Sequence, residues 1–122
     1  MGIKITNFTD LNTWKEAHKL VLDMYSVTKT FPKEEVYGLT SQMRRCVVSI
    51  TSNIAEGFSR RGKKEKIQFY YTAKGSLTEL HNQLIVSKDV GYVEEKQFRR
   101  IIDQISIVGR LLTGLIRSAS ER

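Results

Sequence analysis

Few residues of this chain have side chains able to do chemistry: His18, His81, Cys46 and a crowd of lysines and arginines. Acid–base or metal work needs a partner at a fixed offset. No His or Glu follows His18 or His81 at i+3 or i+4, and Glu-x-x-His is absent, so a metal site of the helical-bundle kind lacks its ligands. An Arg-x(4–6)-His pair, which a helical RNase would need, is also missing before both histidines. They read as structural groups at the edge of a core. Cys46 follows Arg44 and Arg45, and a neighbouring arginine can depress a thiol pKa. Consecutive helical residues point about 100° apart, however, which turns Arg45 to solvent and the thiol inward. An inert, buried cysteine follows. Gly57, Gly62 and Gly75 match neither the P-loop nor the dinucleotide spacing. The pattern is that of a non-enzyme with no metal and no cofactor.

What remains is positive charge. Twenty Lys and Arg against thirteen Asp and Glu give +7. Residues 1–39 are neutral, with five charges of each sign, and residues 76–122 carry seven positive against six negative. Residues 40–75 hold eight cations against Glu56 and Glu65, which is +6 of the +7. Those eight, Arg44, Arg45, Arg60, Arg61, Lys63, Lys64, Lys66 and Lys74, are candidate phosphate contacts, giving affinity for RNA or DNA without direct sequence readout. Tyr70 and Tyr71 lie close enough in sequence to offer stacking on unpaired bases, although Tyr70 also fits a core position. The competing reading is that the charge serves solubility alone.

Four amphipathic helices must position these residues. The first should start near Asp10 as N-cap and run to about Thr30, where Phe31-Pro32 stops it. Leu11, Trp14, Ala17, Val21, Met24, Tyr25 and Thr28 form its inner side. The second covers 41–58, capped by Thr40 or Ser41, with Met43, Cys46, Val47, Ile50, Ile54 and Gly57 on one stripe. Its polar line is Arg45, Ser49, Ser52 and Glu56, and Val48 with Ala55 makes a small outer apolar strip. Residues 59–66 form a basic turn broken at Gly62. The third helix then runs to about Val90 over Tyr70, Ala73, Leu77, Leu80 and Leu84, with Gly91 as its stop. Gly75 in mid-helix points to a close helix approach on the outer side. A fourth helix from about Glu94 to Ala119 repeats Phe98, Ile101, Ile105, Val108, Leu112 and Leu115 in heptads.

With no strand pattern anywhere, the economical fold is all-α: an up-down-up-down antiparallel four-helix bundle, one domain over 1–122. The opening MGIKITNFTD has no apolar signal-peptide core, and no apolar run approaches the roughly 18 residues of a membrane span, so a soluble, cytoplasmic protein is expected.

The run from Phe31 to Leu80 resembles the signature of the four-helix bundle proteins encoded by intervening sequences in bacterial 23S rRNA genes. The resemblance is carried by Tyr37-Gly38-Leu39, Ser41-Gln42, Arg44-Arg45, Ser52-Asn53-Ile54-Ala55-Glu56-Gly57 and Lys74-Gly75-Ser76 in order, with Trp14, Ala17, Gly91 and Tyr92 around them. It implies assembly into a homopentamer. It extends to the accessory variability proteins of diversity-generating retroelements, similar barrels that bind nucleic acid and a reverse transcriptase, so both become expected partners. Cys46 departs from the small residue expected there. Within the pattern, Asn53 is placed to satisfy a backbone group or a partner helix, and Glu56 to pair with Arg60 at i+4.

Overall fold

The computed structural model describes residues 4–121; Met1, Gly2, Ile3 and Arg122 lie outside the described residues. Four long helices carry the chain: α1 (Asn12–Thr28), α2 (Leu39–Ser59), α3 (Lys63–Asp89) and α4 (Glu95–Ser120). Each packs on its neighbours in chain order, and α4 closes back on α1, which is the ring of a four-helix bundle. No strand occurs among the described residues. The all-α expectation holds.

The core is built from the helical periodicities. Leu20 and Met24 of α1, Met43, Ile50 and Ile54 of α2, Leu80 and Leu84 of α3, and Ile101, Val108 and Leu112 of α4 are fully buried. Each contributes roughly 1.5–3 kcal/mol of transfer free energy. Polar ties fasten the α1–α4 seam: Arg100 Nη1 pairs with Asp23 Oδ1 at 3.1 Å, and Gln104 Nε2 donates to the Glu16 carbonyl at 2.9 Å.

The starts of α1 and α2 depart from the expectation in how they are capped. Asp10 does not cap α1. It sits in a 3-10 turn (Phe8–Asp10), where its carboxylate accepts from the Thr6 and Asn7 amides and is held below the usual carboxylate range by those bonds. Leu11 precedes α1 with no side-chain cap. For α2 the cap is neither Thr40 nor Ser41: Glu35 Oε1 accepts from the Leu39 amide at 3.1 Å, and its Oε2 accepts from the Tyr92 hydroxyl at 2.9 Å. Glu35 thereby ties the α1–α2 and α3–α4 connections together. The third helix does stop at Gly91, whose φ of +90° lets Tyr92 N donate to Ser87 O and Gly91 N to Lys88 O, a Schellman closure.

The close approach expected at Gly75 is found instead at Gly57. A Cβ on Gly75 would meet nothing within 4 Å, so no helix of this chain approaches there. A Cβ on Gly57 would fall 2.5 Å from Tyr70 Cε1 and 3.1 Å from Phe69 Cβ. The tight crossing is between the end of α2 and the start of α3.

Candidate nucleic-acid interface

Six of the eight cations of residues 40–75 line three separate places. Arg44 and Arg45 line a shallow depression on the α1–α2 side with Tyr25, Val48, Ser49 and Ser52. Arg61, Lys63 and Lys66 rim a cavity of about 580 Å³ at the end of the bundle where α2, α3 and α4 meet. Lys74 faces a groove between α3 and α4. Arg45 and Arg60 are fifteen residues apart on and just beyond one helix, roughly 22 Å at 1.5 Å per residue. The eight are not one patch.

Three of them serve the fold. Arg44 Nε donates to Thr28 Oγ1 at 2.8 Å and its Nη2 to the Tyr25 carbonyl at 3.3 Å, while its guanidinium lies 4.7 Å from the Tyr25 ring centre. It fastens α2 to the last turn of α1 through the Tyr25 carbonyl, while the Ser26, Val27 and Thr28 carbonyls are taken by the following amides. Tyr25, expected inside, is accordingly 41% exposed beneath it. Lys66 Nζ donates to the Gly57 and Phe58 carbonyls at 2.9 and 3.0 Å and so caps the C-terminus of α2 from the first turn of α3. Arg60 pairs with Glu56 at 3.0 Å, the i+4 contact expected, approaches Glu65 at 3.9 Å and covers the Phe69 ring.

The side chains of Arg45, Arg61, Lys63, Lys64 and Lys74 make no ion pair or hydrogen bond with any described residue. Arg61, Lys63 and Lys64 form the dense group. The connection between α2 and α3 is only Arg60–Gly62, with Arg60 and Gly62 extended, so the expected eight-residue turn is mostly helix. Lys63, Lys64 and Lys66 thus stand in the first turn of α3, at the positive end of the helix dipole, with Glu65 as the one acid and no side-chain cap. Cations there are unfavourable for the helix by a few tenths of a kcal/mol each, up to about 1. The same stretch presents backbone amides and ammonium groups together, an arrangement suited to phosphate oxygens. Beneath the rim, Ile5, Leu11, Phe58, Tyr70 and Leu115 line the cavity. Tyr70 is only 2% exposed and has no face for a base; Tyr71 is 56% exposed.

No acid–base machinery accompanies this group among the described residues. His18 stacks on Trp14 at 4.7 Å between ring centres. Cys46 is buried, donates to the Ser76 carbonyl at 3.0 Å and has its thiol pushed up to about 12, chiefly by burial and then by the Glu79 charge. Ser49, read from sequence as part of the polar outer line, lies half-buried in the same seam, its hydroxyl 3.0 Å from that of Ser76. Asn53 satisfies a backbone group, the Ser49 carbonyl, at 2.8 Å. No group of three or more metal-ligating side chains occurs among the described residues.

Sequence reasoning missed Arg110 and Arg117, which share the α3–α4 groove with Lys74 and His81. A signal was available: Lys74 and His81, and Arg110 and Arg117, are each seven residues apart, two helical turns on one face.

Fold and site together define a basic four-helix bundle whose densest unpaired charge sits at one end. The chain belongs to the 23S rRNA-intervening sequence protein family, whose model matches residues 9–114. Its fold is similar to the crystal structure of a protein with unknown function from the S23 ribosomal protein family of Bacteroides thetaiotaomicron VPI-5482. The two are 16% identical with a TM-score of 0.79, over 86% of this chain and 95% of that one. At that identity the likeness is one of fold. No curated protein matches the chain. No described helix is long and apolar enough to cross a membrane.

Proposed function

We propose that the protein is a non-enzymatic, oligomeric bundle that binds RNA or DNA by its phosphate backbone, led by Arg61, Lys63 and Lys64. The observation carrying this is that three cations without partners are held at a helix N-terminus where they oppose the local dipole. Solubility does not call for that placement, since lysines on an exposed helix face would serve it without the conflict. Arg45 and Lys74 extend the contact, and Arg44, Arg60 and Lys66 add field from positions fixed by their own bonds.

The test is a gel-shift titration at two salt concentrations with wild type and Arg61→Gln/Lys63→Gln/Lys64→Gln. Wild type should lose affinity steeply with salt, and the variant should lose most of its affinity with a log–log salt slope lower by about 2. Salt-independent binding, or a triple variant that binds normally, contradicts the reading.

A second reading is a scaffold that recruits a protein, such as the reverse transcriptase implied by resemblance to retroelement accessory proteins. Tyr71, Ile85, Val86 and Val90 favour it, four large apolar side chains 40–56% exposed on or just beyond α3. The homopentamer implied by the same resemblance would cover such surface, and the mass from light scattering decides it. A protein that retains no nucleic acid at low salt but co-purifies with a partner would favour the scaffold.

A further inference from the structure

The groove between α3 and α4 has about 550 Å³ of space, and its lining includes Lys74, His81, Arg110 and Arg117 but no carboxylate and, apart from the His81 imidazole, no aromatic ring. None of these four side chains has an ion pair, hydrogen bond or ring contact with a described residue. Most other surface cations of α4 lack that freedom: Arg99 and Arg100 are paired with Glu95 and Asp23. The register of the two antiparallel helices orders the four. Leu77 packs beside Gly109, 3.6 Å from where its Cβ would be, and Lys88 meets Glu95 at 3.6 Å. Lys74 therefore stands level with α4 between Arg110 and Arg117, and His81 near Ile105. Along the groove the order is His81, Arg110, Lys74, Arg117, over roughly 18 Å at 1.5 Å per residue.

A compact anion would not span a row of this length. An extended polyanion can meet all of them, and about 18 Å corresponds to roughly five nucleotides of one stacked strand at 3.4 Å each. The groove also opens toward the basic end of the bundle, since Arg117 lines it while Ser118 and Ala119 line the end cavity with Arg61 and Lys63.

We propose that the α3–α4 groove is the track for a single nucleic-acid strand leaving the basic turn. Its phosphates meet Arg117, Lys74 and Arg110 in succession, with His81 at the far end. This rests on the nucleic-acid reading above and gives it a path. With no Phe, Tyr or Trp along it and a single imidazole at its far end, the groove holds chiefly backbone, so it adds length-dependent affinity with little sequence preference. Space is kept for the strand by Gly114, where an added Cβ would meet nothing within 4 Å.

Gly114→Leu makes a sharp test because it fills the groove at constant charge and replaces glycine with a better helix former. Anisotropy of a labelled ten-nucleotide single strand, with circular dichroism and melting to show that each variant folds, supplies the readout. Gly114→Leu should weaken binding roughly fivefold or more, and Arg110→Gln/Arg117→Gln roughly tenfold, with the salt slope lower by about 1.4. A five-nucleotide strand should lose less than a ten-nucleotide strand, because it can bind at the turn alone. If both groove variants bind the ten-nucleotide strand as wild type does, while the Arg61, Lys63 and Lys64 variant fails, the groove proposal is overturned and the function stands. Failure of wild type to bind at all overturns both.

Discussion

Cys46 shows how burial decides chemistry. Its thiol ionises near 9.0 ordinarily and near 12 in the fold, with burial as the larger cause and the charge of Glu79 as the second. Below the ordinary value the thiol is neutral folded and unfolded, and its contribution to stability is intact; between about 9 and 12 only the unfolded chain ionises, so stability falls as pH rises. Wild type should therefore lose more stability than Cys46→Ala between pH 7.5 and 10.5 in urea titrations, and its thiol should react with a disulfide reagent only after unfolding. Rapid labelling of the native protein at pH 8 would contradict this. At the same scale Gly57→Ala should destabilise by about 1–3 kcal/mol, because the new methyl must displace the buried Tyr70 ring. Cys46 was legible in the sequence because a helical stripe fixes direction. The glycines were not: a glycine type does not say which face has a neighbour, and that depends on where α3 returns against α2.

Among elements, the basic turn separates stability from binding. Lys66 closes the end of α2 through two carbonyls, whereas the side chains of Lys63 and Lys64, three and two residues before it, make no ion pair or hydrogen bond with any described residue and oppose the dipole of α3. Lys66→Gln should cost about 1 kcal/mol in urea denaturation, while Lys63→Gln/Lys64→Gln should leave stability unchanged or slightly higher. A larger loss from the double variant would show that those lysines serve the fold. Helix number and faces were readable from periodicity, since burying one stripe forces it. The stop at Gly91 was readable too, but the caps of α2 were not, because Glu35 and Lys66 reach it from outside the helix they close. Likewise Arg44 looked like any other cation until the end of α1 was placed beside it.

For the whole molecule, charge along the chain and charge in space differ. Counting by segment leaves residues 76–122 near neutral, yet Arg110 and Arg117 make no ion pair with a described acid of that segment and share a groove with Lys74 that no carboxylate lines. Unpaired cations gather at one end and in one groove, where like charges repel. Added salt should therefore raise the melting temperature while weakening nucleic-acid binding, opposite signs from one cause, measurable by thermal melts at about 0.05 and 0.5 M salt, where screening shortens from roughly 14 to 4 Å. A falling melting temperature would mean that ion pairs such as Arg100–Asp23 outweigh the repulsion.

The parity of the helix count has a consequence for how this chain can be joined to others. Four antiparallel passes bring the path back to its starting side, so Ile5 and Ser118 line the cavity that Arg61 and Lys63 rim. Whatever is fused to either terminus, a natural extra module or an affinity tag, projects beside the basic turn and competes for the same space. A graft into the connection around Lys33–Glu35 would instead sit a full length of α2 away, about 30 Å, and leave that doorway clear.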